Sequence, residues 1–154
     1  MPQPGSYLKS LKILHTALLA GQAAFLLIVI FLKQVRAMSA PAASLDKALQ
    51  VAAVAIAFVA CFFATKTFKN KLLAIRDAEK LEDKTEQYRA ASIIQWATLE
   101  APSLFSIICF FLTGNYAFVA LAVALILFFA LQMPSRLKTM LHLQLSEEEV
   151  DSLQ

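Results

Sequence analysis

The 154-residue sequence predicts an all-α polytopic membrane protein, with four transmembrane helices arranged as two αα-hairpins and a helical extension between the second and third spans. Three observations carry this prediction. Hydrophobic residues make up 59% of the chain and charged residues only 16%, against about 25% charged in an ordinary soluble domain. Four apolar stretches, 13–32, 48–65, 90–112 and 116–133, contain a single charged side chain between them, Glu100. The Lys and Arg residues are also unevenly placed. With four spans, 11 of them fall on the side holding both termini and the central charged segment, and 3 fall on the other, which makes the first side cytoplasmic. The whole chain reads as one membrane domain, 1–154, without linker or low-complexity tract.

The first span, 13–32, is a run of 20 uncharged residues between Lys12 and Lys33. That exceeds the apolar core of a signal peptide, about 7 to 15 residues, and Pro41 directly after Ala40 disfavours cleavage at the best small-residue site, so the span is expected to be retained. Within it His15 and Gln22 share a helix face, and Gly21 leaves room for a neighbouring helix. Pro41 stops this helix and Ser44 is placed to cap the next. The second span, 48–65, carries Ala53, Ala57 and Cys61 at every fourth position, a ridge suited to close packing.

Residues 66–89 hold seven Lys/Arg and five acids, with no Pro or Gly. Opposite charges at helical spacing, Arg76 with Glu79, Lys80 with Asp83 and Glu86 with Arg89, predict that spans two and three continue into the cytosol as a helical hairpin. The third span ends at Thr113-Gly114-Asn115, a helix-stop signal that makes spans three and four a tight hairpin. Pro134 stops the fourth span. Beyond it, 134–154 reads as an interfacial amphipathic helix, with Leu137, Met140, Leu141 and Leu145 along the membrane surface, followed by an acidic tail in which Ser146 and Glu149 form a capping box. His142 reads as a surface residue. Cys61 and Cys109 lie inside spans and outside any CxxC pair, so they read as small buried residues.

Glu100 is the candidate for chemistry. It lies 11 residues after Arg89, about 16 Å along a helix, which places it near mid-bilayer. An intramembrane carboxylate costs a few kcal/mol and is by default a functional-site candidate; loss of water favours its neutral form. Pro102, two residues on, removes a backbone donor and predicts a kink. Ser103, with Gln95, Ser92 and Ser106, gives the helix a polar side, and His15 is the one titratable nitrogen within the spans able to approach it. That side serves either structural hydrogen bonding or ion and proton binding, with Glu100 as the binding group and His15, Gln22, Gln95 and Ser103 as polar neighbours.

Setting residue n against n + 80 gives seven identities over the 20 positions 13–32, among them Ile13/Ile93, Ala17/Ala97, Phe25/Phe105 and Phe31/Phe111, which suggests an internal duplication. The run Leu99-Glu100-Ala101-Pro102-Ser103-Leu104-Phe105 resembles the ion-binding helix of rotary ATPase proteolipid subunits, a resemblance that implies Glu100 as a proton or sodium carrier. It covers one helix, and the glycine-repeat helix of those subunits has no counterpart in the chain. Over its whole length, through IIQWATLEAPSLFSIICFFLTGN, a further span, and a Pro followed by a basic segment and a Ser-Glu-Glu tail, the chain resembles a family of small bacterial four-span inner-membrane proteins. That resemblance implies a fold and a location in the inner membrane but supplies no activity.

Two functions follow from these features. One is an ion- or proton-linked membrane subunit or carrier using Glu100; the other is a structural or assembly subunit of a larger inner-membrane complex, meeting a membrane-protein partner or a second copy. No metal-ligand cluster, nucleophile–base pair or paired carboxylates argues for an enzyme, a metal or a cofactor. The basic residues lie between apolar segments, which points to the lipid bilayer as partner rather than nucleic acid.

Overall fold

The computed structural model describes residues 7–35, 43–76 and 80–148, and among these every regular element is a helix. In chain order they are α1 (Tyr7–Val35), α2 (Ala43–Arg76), α3 (Leu81–Thr113), α4 (Tyr116–Ala130) and α5 (Arg136–Leu143). The first three are long and apolar enough to cross a membrane. As a helix, α4 has 15 residues, about 22 Å at 1.5 Å per residue, short of the roughly 30 Å hydrocarbon core. Pro41 and Glu149 lie outside the described residues, as does Glu79, the expected partner of Arg76; Ser44 falls inside α2 rather than ahead of it.

The third helix is the centre of the fold. Half of its apolar window is buried, against 22% for α1 and 17% for α2. It packs most extensively on α2 and α4, then on α1, whereas α1 and α2, though consecutive, share no substantial interface. The expected first αα-hairpin is therefore not a packed unit: α1 lies against α3 and α4. Its buried residues are Leu8, Leu11, His15, Gln22, Leu26 and Val29, spaced at threes, fours and sevens along one stripe. Gly21 is off that stripe, and a Cβ placed there would meet nothing within 4 Å, so the close approach expected at this glycine does not occur within the molecule.

At the α3–α4 turn, Gly114 adopts φ +72°, the left-handed conformation that glycine enters without steric cost, and its N–H bonds to the Phe110 carbonyl at 2.7 Å. Asn115 caps α4 by accepting from the Ala117 N–H at 2.9 Å. Its amide donates to Asp46 Oδ2 at 2.8 Å, and Gln50 donates to the same oxygen at 2.9 Å, so the start of α2 is clasped to the turn.

The opposite end shows how the C-terminal segment meets the bundle. There α5 packs on the bundle, burying Thr139 and Leu143, with Leu145 beyond it, so that of the four apolar residues expected at the membrane surface Leu145 is buried while Leu137 and Leu141 stay exposed. The extensions of α2 and α3 present Phe68, Leu72, Ile75 and Tyr88, and this apolar surface needs a cover. His142 is accordingly not a surface residue. It is half-buried, its Nδ1 lies 3.2 Å from the Tyr88 hydroxyl, and its ring packs edge-on to Phe68 at 5.5 Å. Arg76 Nε donates to the His142 carbonyl at 3.1 Å, satisfying an end carbonyl of α5.

Candidate functional site

The interior holds two apolar clusters. One joins Leu11, Phe68, Tyr88, Trp96, Leu99 and Phe129 towards the basic end; the other joins Leu26, Val29, Ile107, Phe110, Phe118 and Ala122 towards the Gly114 turn. Along α3 the residues separating them are Pro102, Ser103 and Ser106, and along α1 Gln22, all buried. A polar layer thus crosses the bundle between the clusters, and Glu100 sits at its edge.

Within the layer Ser103 and Gln22 meet directly: the Ser103 hydroxyl lies 2.6 Å from Gln22 Oε1 and 2.8 Å from the Glu100 backbone carbonyl. Both side chains have no exposed surface. One hydroxyl proton cannot be donated fully to two oxygens, so the bond is shared between them; turning the Gln22 carboxamide over would let its N–H donate to Ser103 and leave the hydroxyl proton to Glu100 O. In the orientation seen, Gln22 Nε2 has no partner. Ser106 donates to the Pro102 carbonyl at 2.8 Å. Pro102 stands inside a helix that continues unbroken to Thr113 and, having no N–H, leaves the Thr98 carbonyl without its intrahelical donor.

His15 and Gln95 do not join this group. His15 Nε2 donates to the Phe129 carbonyl at 3.1 Å, so α1 caps one of the end carbonyls of α4. A carbonyl can only accept, which puts the proton on Nε2 and leaves Nδ1 a bare acceptor with no donor opposite it. The ring stacks on Phe129 at 4.6 Å and meets Trp96 edge-on at 5.0 Å. Gln95 turns the other way, onto a cavity of about 50 Å³ between α2 and α3 that it lines with Thr67, Ile94 and Thr98. That space is roomy enough for water to serve its amide.

Glu100 is half-buried, on the shoulder between the buried face of α3 (Trp96, Leu99, Ser103) and the exposed Ala97 and Ala101. Among the described residues its carboxylate has no hydrogen-bond or ion-pair partner. Its height follows from the helix register. His15 meets Trp96 and Gln22 meets Ser103, a constant offset of 81 between parallel helices, and Ala64 and Phe68 line the same cavity as Gln95 and Ala91. Lys9 and Lys12 on α1, Lys66 and Lys69 on α2, and Arg89 on α3 therefore form a belt at one height. Glu100 lies about 16 Å from it, counted from Arg89 at 1.5 Å per residue.

Sequence reasoning did not anticipate Phe129 and Trp96 as the partners of His15, nor the Asp46 clasp. The first carries no sequence signal, because the acceptor is a backbone oxygen; the second had one, since Asp46 is an isolated acid between basic residues at a helix start. No groups of three or more His, Cys, Asp or Glu that could hold a metal ion occur among the described residues. No protein-family model, curated protein or solved structure matches the chain.

Proposed function

We propose that this protein is an ion- or proton-linked subunit or carrier of the bacterial inner membrane, in which Glu100 takes up and releases the ion. One observation carries the reading: Glu100 is a half-buried carboxyl group far from the basic belt, with no partner among the described residues, while the buried Ser103 three residues on is committed to internal hydrogen bonds. A carboxyl group held in an ion pair would resist protonation. One standing at the rim of a polar seam, in contact with the surroundings through exposed Ala97 and Ala101, is free to exchange a proton or bind a cation.

The proposal includes four spans, with α4 and the turn through Met133 completing the last crossing, and both termini in the cytoplasm beside the basic belt. It also includes membership of the four-span inner-membrane family and descent from a duplicated hairpin. The parallel α1–α3 packing at a constant offset of 81, close to the repeat spacing of 80, supports the duplication.

The test is labelling with a hydrophobic carbodiimide, which attacks protonated carboxyl groups in apolar surroundings, on protein in native membranes at neutral pH. Glu100 is expected to be modified and Glu100→Gln to abolish both the adduct and any proton exchange by reconstituted vesicles. An unmodified Glu100, with exchange unchanged in the Gln variant, refutes the reading.

A second reading, a structural subunit of a larger membrane complex with another protein or a second copy as partner, is favoured by the bare outer faces of α1 and α2. Co-purification of a partner from gently solubilised membranes supports it, and a stable monomer removes it.

A further inference from the structure

The face of α2 that the fold leaves uncovered carries a shallow, open surface groove where the apolar run meets the basic belt, lined by residues of α2 alone. Phe58, Cys61 and Phe62 form its apolar wall, and Lys66, Lys69 and Asn70 stand at its mouth. The two phenylalanines are 74% and 61% exposed, and the lysines and the asparagine are exposed as well. No acid occurs in the sequence between Asp46 and Arg76, so nothing within α2 neutralises these cations. Lys66 Nζ is placed 5.6 Å from the centre of the Phe62 ring, directing it back over the apolar wall.

We propose that this groove binds one anionic glycerophospholipid, its phosphate held by Lys66, Lys69 and the Asn70 amide and one acyl chain laid along Phe58 and Phe62. Charge complementarity selects the occupant. Two ammonium groups three residues apart, with an amide donor beside them, match the several acceptor oxygens of a phosphodiester, and the aromatic wall continues from that point towards the bilayer interior, as an acyl chain does. A zwitterionic lipid brings its own cation to the mouth of the groove, where the lysines oppose it. The site is independent of Glu100, which is on another helix.

Native mass spectrometry of the full-length protein in mild detergent tests this, with phosphatidylglycerol and phosphatidylcholine of identical chains as probes. The wild type is expected to retain one phosphatidylglycerol in preference to phosphatidylcholine. Lys66→Gln with Lys69→Gln is expected to weaken that retention by about fivefold per lysine, the equivalent of roughly 1 kcal/mol each. Lys9→Gln with Lys12→Gln, which removes two cations of the same belt away from the groove, is expected to leave it unchanged, and Phe58→Ala to weaken it with all charges intact. Millimolar inorganic phosphate is expected not to displace the lipid. Equal loss from both lysine pairs would show diffuse belt electrostatics and overturn the site, as would equal retention of phosphatidylcholine or displacement by phosphate. All four lysines and Phe58 are exposed, so the variants keep the fold, and an unchanged helical circular dichroism spectrum checks this.

Discussion

Replacing His15 separates packing from proton chemistry at the heart of the bundle. The ring is 1% exposed, stacked on Phe129 with 10° between planes and in edge contact with Trp96, so its truncation opens a cavity bounded by two aromatic rings. His15→Ala should cost about 3 kcal/mol, the lower end of aromatic-to-alanine losses. His15→Phe keeps a ring of similar shape and removes one hydrogen bond, worth about 0.6 kcal/mol and at most about 1.7 between membrane helices. The Phe129 carbonyl is not orphaned by this change, because it also accepts from the Gln132 N–H at 2.9 Å, and the unpartnered Nδ1 disappears along with the donor. The phenylalanine variant should therefore lie within about 1 kcal/mol of the wild type. Trp96 is the single tryptophan of the chain and touches the substituted ring, so its fluorescence during unfolding by SDS in mixed micelles reads both variants. If His15→Phe proves as damaging as His15→Ala, the nitrogen and not the ring is what the site needs, and the assignment of His15 to packing is refuted.

Two further predictions concern the ends of the bundle. Burial, and secondarily the cations Lys138 and Arg76, hold His142 below its ordinary pKa, so α5 released from the bundle binds a proton more readily than α5 docked. Docking is then at full strength above about pH 6.5 and weakens as pH falls from there towards the lower docked value; amide exchange in α5 should accelerate across that window relative to α3, and His142→Gln should abolish the pH dependence. At the other end, Asp46→Ala removes the shared acceptor of Gln50 and Asn115 and should cost about 1 to 2 kcal/mol in the same SDS titration, with Asp46→Asn losing less because an amide oxygen in the place of Oδ2 still accepts both bonds and only the charge is lost.

Much of the helical architecture was legible because its signals are local. The Gly114-Asn115 stop and the continuation of α2 and α3 through the charged segment each depend on residues a few positions apart. Which helix packs on which was not legible. Spans rich in Ala, Leu, Ile and Phe look alike on every face, so neither the separation of α1 from α2 nor the open space at Gly21 leaves a periodic trace. The packing of α5 on the bundle was not legible for a related reason. Its apolar residues suit a membrane surface as well as a protein one, and the apolar side chains of the α2 and α3 extensions that receive Leu143 and Leu145 are distant in sequence.

For the candidate site, the residue types were legible and their grouping was not. Five polar side chains on two helices read as one constellation, yet the structure divides them according to the hydrogen-bond capacity each must satisfy away from water. His15 spends its donor on the end of α4, Ser103 and Gln22 on each other, and Gln95 faces a separate cavity. A buried polar group in an apolar bundle is costly unless paired, so these residues are accounted for by the fold they hold together. The same reasoning applied to Glu100 gives the opposite result. Its backbone carbonyl takes part in the seam, but its carboxylate, the costliest group in the span, has no described partner. A structural role would predict a bond of the kind that Ser103 makes to Gln22 and His15 makes to Phe129. The missing partner is what sets Glu100 apart in the proposed reading.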